Sequence, residues 1–90
     1  MTEEPVDIRR KRLVHRSLYT GMKETDLLLG GFARSEVALM EMASLEMYEA
    51  LLQEPDPSIY AWAIGRESVP PRHDNPVMAA LRRYAASGPR

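Results

Sequence analysis

Residues 20–26, TGMKETD, are the stretch of this chain in which residue types and spacing indicate a contact site. Gly21 has no side chain, so a partner surface could approach its backbone closely, and Glu24 would offer a charged hydrogen-bond acceptor at the rim. Glu24 and Asp26 would also lie in the first turn of a helix, where carboxylates favour the helix dipole. Helix capping is therefore the simpler explanation of the two acids, and docking of a partner is the functional alternative.

Other chemically active residue types lack the spacing that a catalytic or metal site requires. His15 and His73 have no second histidine at helical i+4 spacing, and the chain has no cysteine, so neither is expected to bind a metal. The serines lie in no nucleophile-elbow motif, and Gly30-Gly31 lacks the Lys-Ser/Thr of a phosphate-binding loop. The sequence therefore predicts a protein that is not an enzyme, with no metal site and no stably bound cofactor.

The net charge of −1 hides a basic N-terminal part, an acidic middle and a basic C-terminal part. The most basic run, residues 9–12 followed by Arg16, would suit phosphate contacts if the whole chain were basic. It is not, and no interleaved aromatic residues accompany the run. We therefore expect no nucleic-acid binding and interpret the run as a solvated or partner-facing side of the first helix.

Helices must position the 20–26 stretch, because no segment sustains the period-2 alternation of a strand. The sequence predicts an all-α fold, a small irregular bundle of about five short helices. These would form a single helical domain over residues 1–90, with an ordered core at about 6–86 and frayed termini. A chain of 90 residues can bury one compact core but has little material left for a deep substrate cavity.

The first two helices are predicted near residues 6–19 and 23–38, with Gly21 at the turn between them. Gly30 and Gly31 lie inside the second helix, where each costs about 1 kcal/mol relative to alanine. Either the helix ends there or a neighbouring backbone packs closely against it, and we expect the close packing. The apolar stripe of this helix is expected to face the core. It comprises Leu28, Phe32, Ser35 and Leu39, widened by Leu27 and Leu29.

Three further helices are predicted near residues 43–53, at 57–64 and from Asn75-Pro76 onward. Ser44 is available to cap the third helix, and Asp56 is expected to cap the fourth. The fourth helix is expected to be mostly buried. The side chains predicted to be buried by these three helices are Leu45, Tyr48, Leu51, Leu52, Ile59, Tyr60, Trp62, Ile64, Val77, Met78, Leu81, Tyr84 and Ala85.

Several segments, in this order and spacing, resemble one family. They are RKRL at 10–13, GMKETDLLLG at 21–30, FA at 32–33, YEALL at 48–52, DPSIYAW at 56–62 and Gly65. Together they resemble the succinate dehydrogenase assembly factor 2 family, the flavinylation factors of bacteria and mitochondria. The resemblance runs from about Ile8 to Tyr84.

The resemblance implies a small five-helix protein that binds the flavoprotein subunit of succinate dehydrogenase or fumarate reductase. Such a protein promotes covalent attachment of FAD to a histidine of that subunit, and FAD is the cofactor of the partner. The covalent chemistry would belong to the flavoprotein, so the factor acts like a chaperone and has no catalytic site. The free chain is expected to be a monomer.

The family's signature is Arg-Gly-x-x-Glu, which this chain matches at Gly21 and Glu24 but not at Thr20. Threonine brings one short hydroxyl where arginine would bring a bidentate cation. Our hypothesis is that Arg16, one helical turn earlier, compensates in part for the missing arginine. The residues predicted to bind the partner are Gly21, Glu24, Arg16, Thr20, Met22, Lys23 and Asp26.

The compartment is also predicted from the sequence. The longest nearly apolar stretch, residues 27–33, is far below the roughly 20 residues of a membrane span, so no direct membrane insertion is expected. Acids at Glu3, Glu4 and Asp7 are atypical of a signal peptide or a mitochondrial presequence. We therefore expect a bacterial cytoplasmic protein. The alternative to the family function is an unrelated small helical adaptor with no role in flavinylation.

Overall fold

Five α-helices make up most of the chain that the computed structural model describes, which is residues 4–18 and 21–87. In chain order they are α1 (Val6–Leu18), α2 (Lys23–Glu36), α3 (Met42–Leu51), α4 (Asp56–Ala63) and α5 (Pro76–Ser87), with 3₁₀ turns at Val37–Leu39 and Pro71–His73. No strand occurs in the two described ranges, so the prediction of an all-α bundle of about five short helices is confirmed. None of these helices is both long and apolar enough to cross a membrane.

Helix α2 is central to the bundle, because it packs against α1, α4 and α5. Its Phe32 is fully buried, and the Phe32 ring contacts the rings of Tyr48 on α3 and Tyr84 on α5 at centroid distances of 5.6 and 6.0 Å. Tilted aromatic pairs of this kind add about 0.5–1.5 kcal/mol each beyond the apolar area that they bury. The core therefore runs along α2 and joins it to α3 and α5.

The two interior glycines of α2 are sites of close packing, as predicted, but the neighbouring atoms belong to side chains and not to a backbone. A Cβ added at Gly30 would lie 2.8 Å from Leu18 Cδ2 on α1, and a Cβ at Gly31 would collide with the hydroxyl of Tyr84 on α5. Both glycines therefore let α2 approach its neighbours more closely than any other residue type would allow.

Replacing Gly31 with alanine should have opposite effects with and without Tyr84. Overpacking costs about 1–3 kcal/mol and alanine regains about 1 kcal/mol of helix propensity, so Gly31→Ala should lower the free energy of unfolding by about 1 kcal/mol. In a Tyr84→Ala background the collision is absent, and the same change should raise it by about 1 kcal/mol. Urea unfolding of the four chains measures both effects. An equal effect in both backgrounds would contradict this account.

Arg9 and Arg12 of the basic run of α1 pair with α3, whereas Lys11 stays exposed, so the predicted solvated or partner-facing side is found only in part of the run. Arg9 donates to Glu49 at 2.7 Å, and Arg12 contacts the other carboxylate oxygen of Glu49 at 2.8 Å. Arg10 donates to the carbonyl of Met40 at 2.7 Å. These partly exposed contacts each contribute little stability, and Lys11 of the same run stays exposed without an ion pair among the described residues.

Some predicted core and cap residues lie elsewhere. Leu27 is 60% exposed because it precedes Leu28 by 100° around the helix and points away from the core, and Ile64 is 41% exposed just after α4. Leu39 is exposed because it lies in the 3₁₀ turn, whose smaller number of residues per turn moves it away from the apolar stripe of α2. Ser35, which was also predicted to belong to that stripe, is exposed as well. The N-cap of α3 is Glu41, so Ser44 does not cap it.

The loop before α5 is held by a carboxylate in the segment between α3 and α4. Glu54 accepts hydrogen bonds from Nε of Arg72 at 2.8 Å and from Nε2 of His73 at 2.7 Å. The His73 ring is buried and packs against the Trp62 ring at a centroid distance of 5.5 Å, with the two ring planes tilted by 38°. His73 is thus a structural residue that joins this loop to α3 and α4.

These contacts predict a specific acid sensitivity. The hydrogen bonds from Arg72 and then His73 lower the pKa of Glu54 from 4.5 to about 2, so the stabilisation is complete above pH 4.5 and is lost as the pH falls toward 2. Glu54→Gln should therefore flatten the fall in melting temperature across this range. Glu46→Gln is the control, since Glu46 is an exposed acid of α3 without an ion pair among the described residues. Equal slopes for both variants would refute the prediction.

Candidate functional site

The turn between α1 and α2 is tied to the start of α4. The backbone N–H of Gly21 donates to Oδ2 of Asp56 at 2.6 Å. Asp56 is the first residue of α4, and Pro55 is its N-cap. The prediction that Asp56 caps its own helix is therefore wrong, since the carboxylate reaches across to Gly21 instead. Thr20 lies outside the described residues.

The fold would accept a residue other than glycine at position 21 with only a small adjustment. Its φ is not positive, since Gly65 is the positive-φ residue of the described ranges. A Cβ at Gly21 would lie 3.3 Å from Oδ2 of Asp56, which a shift of a few tenths of an ångström would relieve. Gly21 is exposed, so its bare backbone lies on the surface beside that carboxylate.

Glu24, which follows Gly21 at i+3, is one of the residues that line an apolar groove. The groove has a volume of about 200 Å³ and runs between α2, α4 and α5. Leu27 and Leu28 follow Glu24 at i+3 and i+4, so the three side chains project from neighbouring positions of α2. We call it the docking groove, and it is lined by Glu24, Leu27, Leu28, Tyr60, Ile64, Tyr84 and Ala85.

The docking groove combines exposed apolar side chains with a single acid. Leu27 and Ile64 are 60% and 41% exposed, so one large apolar side chain of α2 and one just after α4 meet solvent at the same groove. Glu24 is the charged residue of its lining. Glu24 forms no ion pair or side-chain hydrogen bond with the other described residues, so the fold assigns it no capping bond and leaves its carboxylate available.

The remaining predicted contact residues are distributed around this turn. Met22 is the half-buried N-cap of α2, Lys23 is exposed, and Asp26 is half-buried. Arg16 is directed elsewhere, since its guanidinium donates to the carbonyl of Leu52 at 2.9 Å. Carbonyls at a helix end lack partners within the helix, so a cation is favourable there. Compensation for Thr20 by Arg16 stays a prediction, and this hydrogen bond uses one of the five N–H donors of the guanidinium.

Three contributors to this surface were not predicted, namely Leu27, Ile64 and the carboxylate of Asp56 as a tether. Leu27 was assigned to the core, although three consecutive leucines on a helix cannot all face one side. That spacing was the available signal. Ile64 and Asp56 lie more than 30 residues further along the chain, so no local pattern connects them with Glu24.

Metal ligands are not grouped at this surface. Across residues 4–18 and 21–87 there is no cluster of three or more His, Asp or Glu side chains that could hold a metal ion. The arrangement is instead suited to binding a protein surface, because an apolar groove with a polar rim is typical of such contacts.

Comparison with known proteins places these features in a family context. Residues 11–85 match the model of the family described as flavinator of succinate dehydrogenase. The mitochondrial succinate dehydrogenase assembly factor 2 of Dictyostelium discoideum is 35% identical over 80 residues, which is 89% of this chain and 57% of that protein. The protein of the same name from Komagataella phaffii is 38% identical over 88 residues, 93% of this chain and 46% of its own.

A third relative, with the same name, comes from Saccharomyces cerevisiae. It is 48% identical over 62 residues, which is 69% of this chain and 38% of that protein. The chain therefore spans about half the length of the curated relatives it matches.

Proposed function

The chain belongs to the family of flavinators of succinate dehydrogenase, and from this membership we propose that it is an assembly factor for a flavoprotein subunit. It binds the flavoprotein subunit of succinate dehydrogenase, or of fumarate reductase, and promotes covalent attachment of FAD to a histidine of that subunit. The curated relatives are named as assembly factors of succinate dehydrogenase, which supports this proposal.

The observation that carries the proposal is the juxtaposition of Gly21 and Glu24 with the docking groove. These are two positions of the family signature, and the groove presents Leu27 and Ile64 to solvent next to them. Burial of exposed apolar groups contributes about 25 cal/mol per Å², and a buried or rim carboxylate adds specificity. A partner surface seated here would contact signature and groove together.

The proposed mechanism is conformational. Linkage requires the flavin and the target histidine to be held in reacting geometry, and a helper that binds one domain arrangement of the flavoprotein raises the population of that arrangement. The bond-forming chemistry belongs to the flavoprotein and its FAD. In this proposal the chain has no catalytic site, holds no cofactor of its own and is a monomer before it binds.

The compartment we propose is the bacterial cytoplasm, whereas the curated relatives are named as mitochondrial proteins. Fractionation of the source cell, with an antibody against this chain, tests that assignment. Recovery in a membrane-enclosed organelle would overturn the proposed compartment without affecting the proposed activity.

Covalent flavin is the direct readout of the proposed activity. The chain is co-expressed with the flavoprotein subunit of its host's succinate dehydrogenase in a strain that lacks its own factor, and flavin fluorescence of the denatured subunit is scored on a gel. Fluorescence that depends on this chain is the expected result. Fluorescence only with Thr20→Arg would identify a weakened family member, and none with either version would favour a helical adaptor with no role in flavinylation.

A further inference from the structure

A second groove, which we call the basic groove, lies between α1 and the C-terminal half of α2 with its 3₁₀ turn. Its volume is about 630 Å³. It is separate from the docking groove, which uses the N-terminal half of α2. Its apolar lining is Val14, Leu18, Ala33, Val37 and Ala38, and its polar lining is Asp7, Arg10, Lys11, His15 and Arg34.

The charge of this groove is not neutralised by the fold. Arg10 contacts the exposed carboxylate of Asp7 at 3.6 Å and donates to the carbonyl of Met40 at 2.7 Å, so its charge is partly compensated. Lys11 on α1 and Arg34 on α2 are exposed and form no ion pair or side-chain hydrogen bond with other residues in the ranges 4–18 and 21–87. Two unpaired cations therefore face solvent on the two helices that bound an apolar floor.

We infer that the basic groove binds an acidic amphipathic helix of the flavoprotein subunit, as a second contact beside the docking groove. A groove between two helices with an apolar floor accepts the apolar stripe of an amphipathic helix, and unpaired cations on its walls select acids at the stripe's edges. Helix α1 has 13 residues and is about 20 Å long, so the groove would hold a segment of about three to four turns.

This inference rests on the proposed function and explains one requirement of it. A helper that stabilises one arrangement of a two-domain partner must contact parts of the partner that move relative to each other. Two grooves on different halves of α2 give a chain of this size two such contacts.

Charge reversal on the groove walls tests the electrostatic part. Lys11→Glu and Arg34→Glu together should weaken binding to the purified flavoprotein subunit at least about tenfold at low salt. The subunit carries non-covalent FAD in this measurement. The loss of affinity should become smaller as the salt concentration increases. Arg66→Glu, an exposed cation in the loop after α4, is the control for a charge change of the same sign. Unchanged affinity in the double variant, or an equal loss per reversed charge in the control, would overturn the inference.

Crosslinking identifies the occupant. A photoreactive benzoylphenylalanine in place of exposed Ala38 should crosslink to a segment of the flavoprotein rich in Asp and Glu, and the same probe in place of Glu46 on α3 should not. A crosslink to a basic segment, or none from position 38 while a probe at Leu27 reacts, would overturn the second contact and leave the proposed function intact.

The remaining outcomes are also decisive. If the wild-type chain forms no complex with the subunit, the proposed function fails and this inference fails with it. If free FAD instead binds the isolated chain saturably, and Lys11→Glu removes that binding, the groove is a dinucleotide site and the inference of a bound helix is overturned. Circular dichroism of each variant verifies that the helices are retained.

Discussion

Replacing Leu27 with aspartate is expected to weaken binding to the flavoprotein subunit at least about 100-fold and to abolish covalent flavin formation in the co-expression assay. The Leu27 side chain is 60% exposed, so its removal costs the core little. In the complex, the new carboxylate would be buried against apolar atoms without a partner, which costs several kcal/mol. It would also lie one turn from Glu24 and repel it.

Titration calorimetry measures the affinity, and urea unfolding verifies that the free energy of unfolding changes by less than about 0.5 kcal/mol. The matched control is Ile8→Asp, because Ile8 is 51% exposed and lies outside both grooves. Ile8→Asp should retain affinity within about threefold. If Leu27→Asp bound as tightly as Ile8→Asp, the interface would have to lie elsewhere on the molecule.

The predictability of the fold depended on how local each signal was. The Asn75-Pro76 signal correctly predicted the start of α5, where Oδ1 of Asn75 accepts from the backbone N–H of Met78 at 3.0 Å. Gly65 ends α4 with a φ of +80°, as its position after that helix indicated. Such signals act within a few residues, so they can be predicted without knowledge of the tertiary structure.

Contacts between residues that are distant in the sequence could not be predicted from local signals. Ser17 is fully buried, and its Oγ shares a hydrogen bond of 2.5 Å with the hydroxyl of Tyr48. Burial also raises the pKa of Tyr48 to about 12. The pair joins α1 to α3 across 31 residues, and helical spacing says which residues share a face but not which face they meet.

The residues of the candidate site show the same difference between local signals and signals that depend on packing. Gly21 and Glu24 could be identified from residue types and spacing within residues 20–26, and the resemblance adds that they match a contiguous signature. Ile64 completes the docking groove from the end of α4, and it was predicted to be buried because four large residues surround the axis of a short helix. The structure leaves that end of α4 uncovered, and only the packing of α2 and α5 decides this.

The second large expected effect concerns the tether between Asp56 and Gly21. Asp56→Ala should weaken binding to the flavoprotein about tenfold or more and lower the free energy of unfolding by about 1 kcal/mol. A hydrogen bond to a carboxylate is stronger than one between neutral groups, but this one is exposed, which limits its contribution to stability. Part of the stability change comes from the loss of an acid in the first turn of α4. Asp56→Asn keeps an oxygen acceptor while removing the charge, so it should lose stability but retain most of the affinity.

The same tether offers a way to decide why residue 21 is glycine. If the reason is the approach of Asp56, whose Oδ2 would lie 3.3 Å from an added Cβ, then Gly21→Ala should impair the wild-type chain and be neutral in the Asp56→Ala background. If the reason is a partner that approaches the bare backbone, Gly21→Ala should reduce affinity by the same factor in both backgrounds. We expect the second result, because the side chain of Asp56 can yield by a few tenths of an ångström whereas a packed interface cannot. Affinities of the four chains for the flavoprotein subunit measure it, and an effect of Gly21→Ala confined to the wild-type background would assign the glycine to the fold.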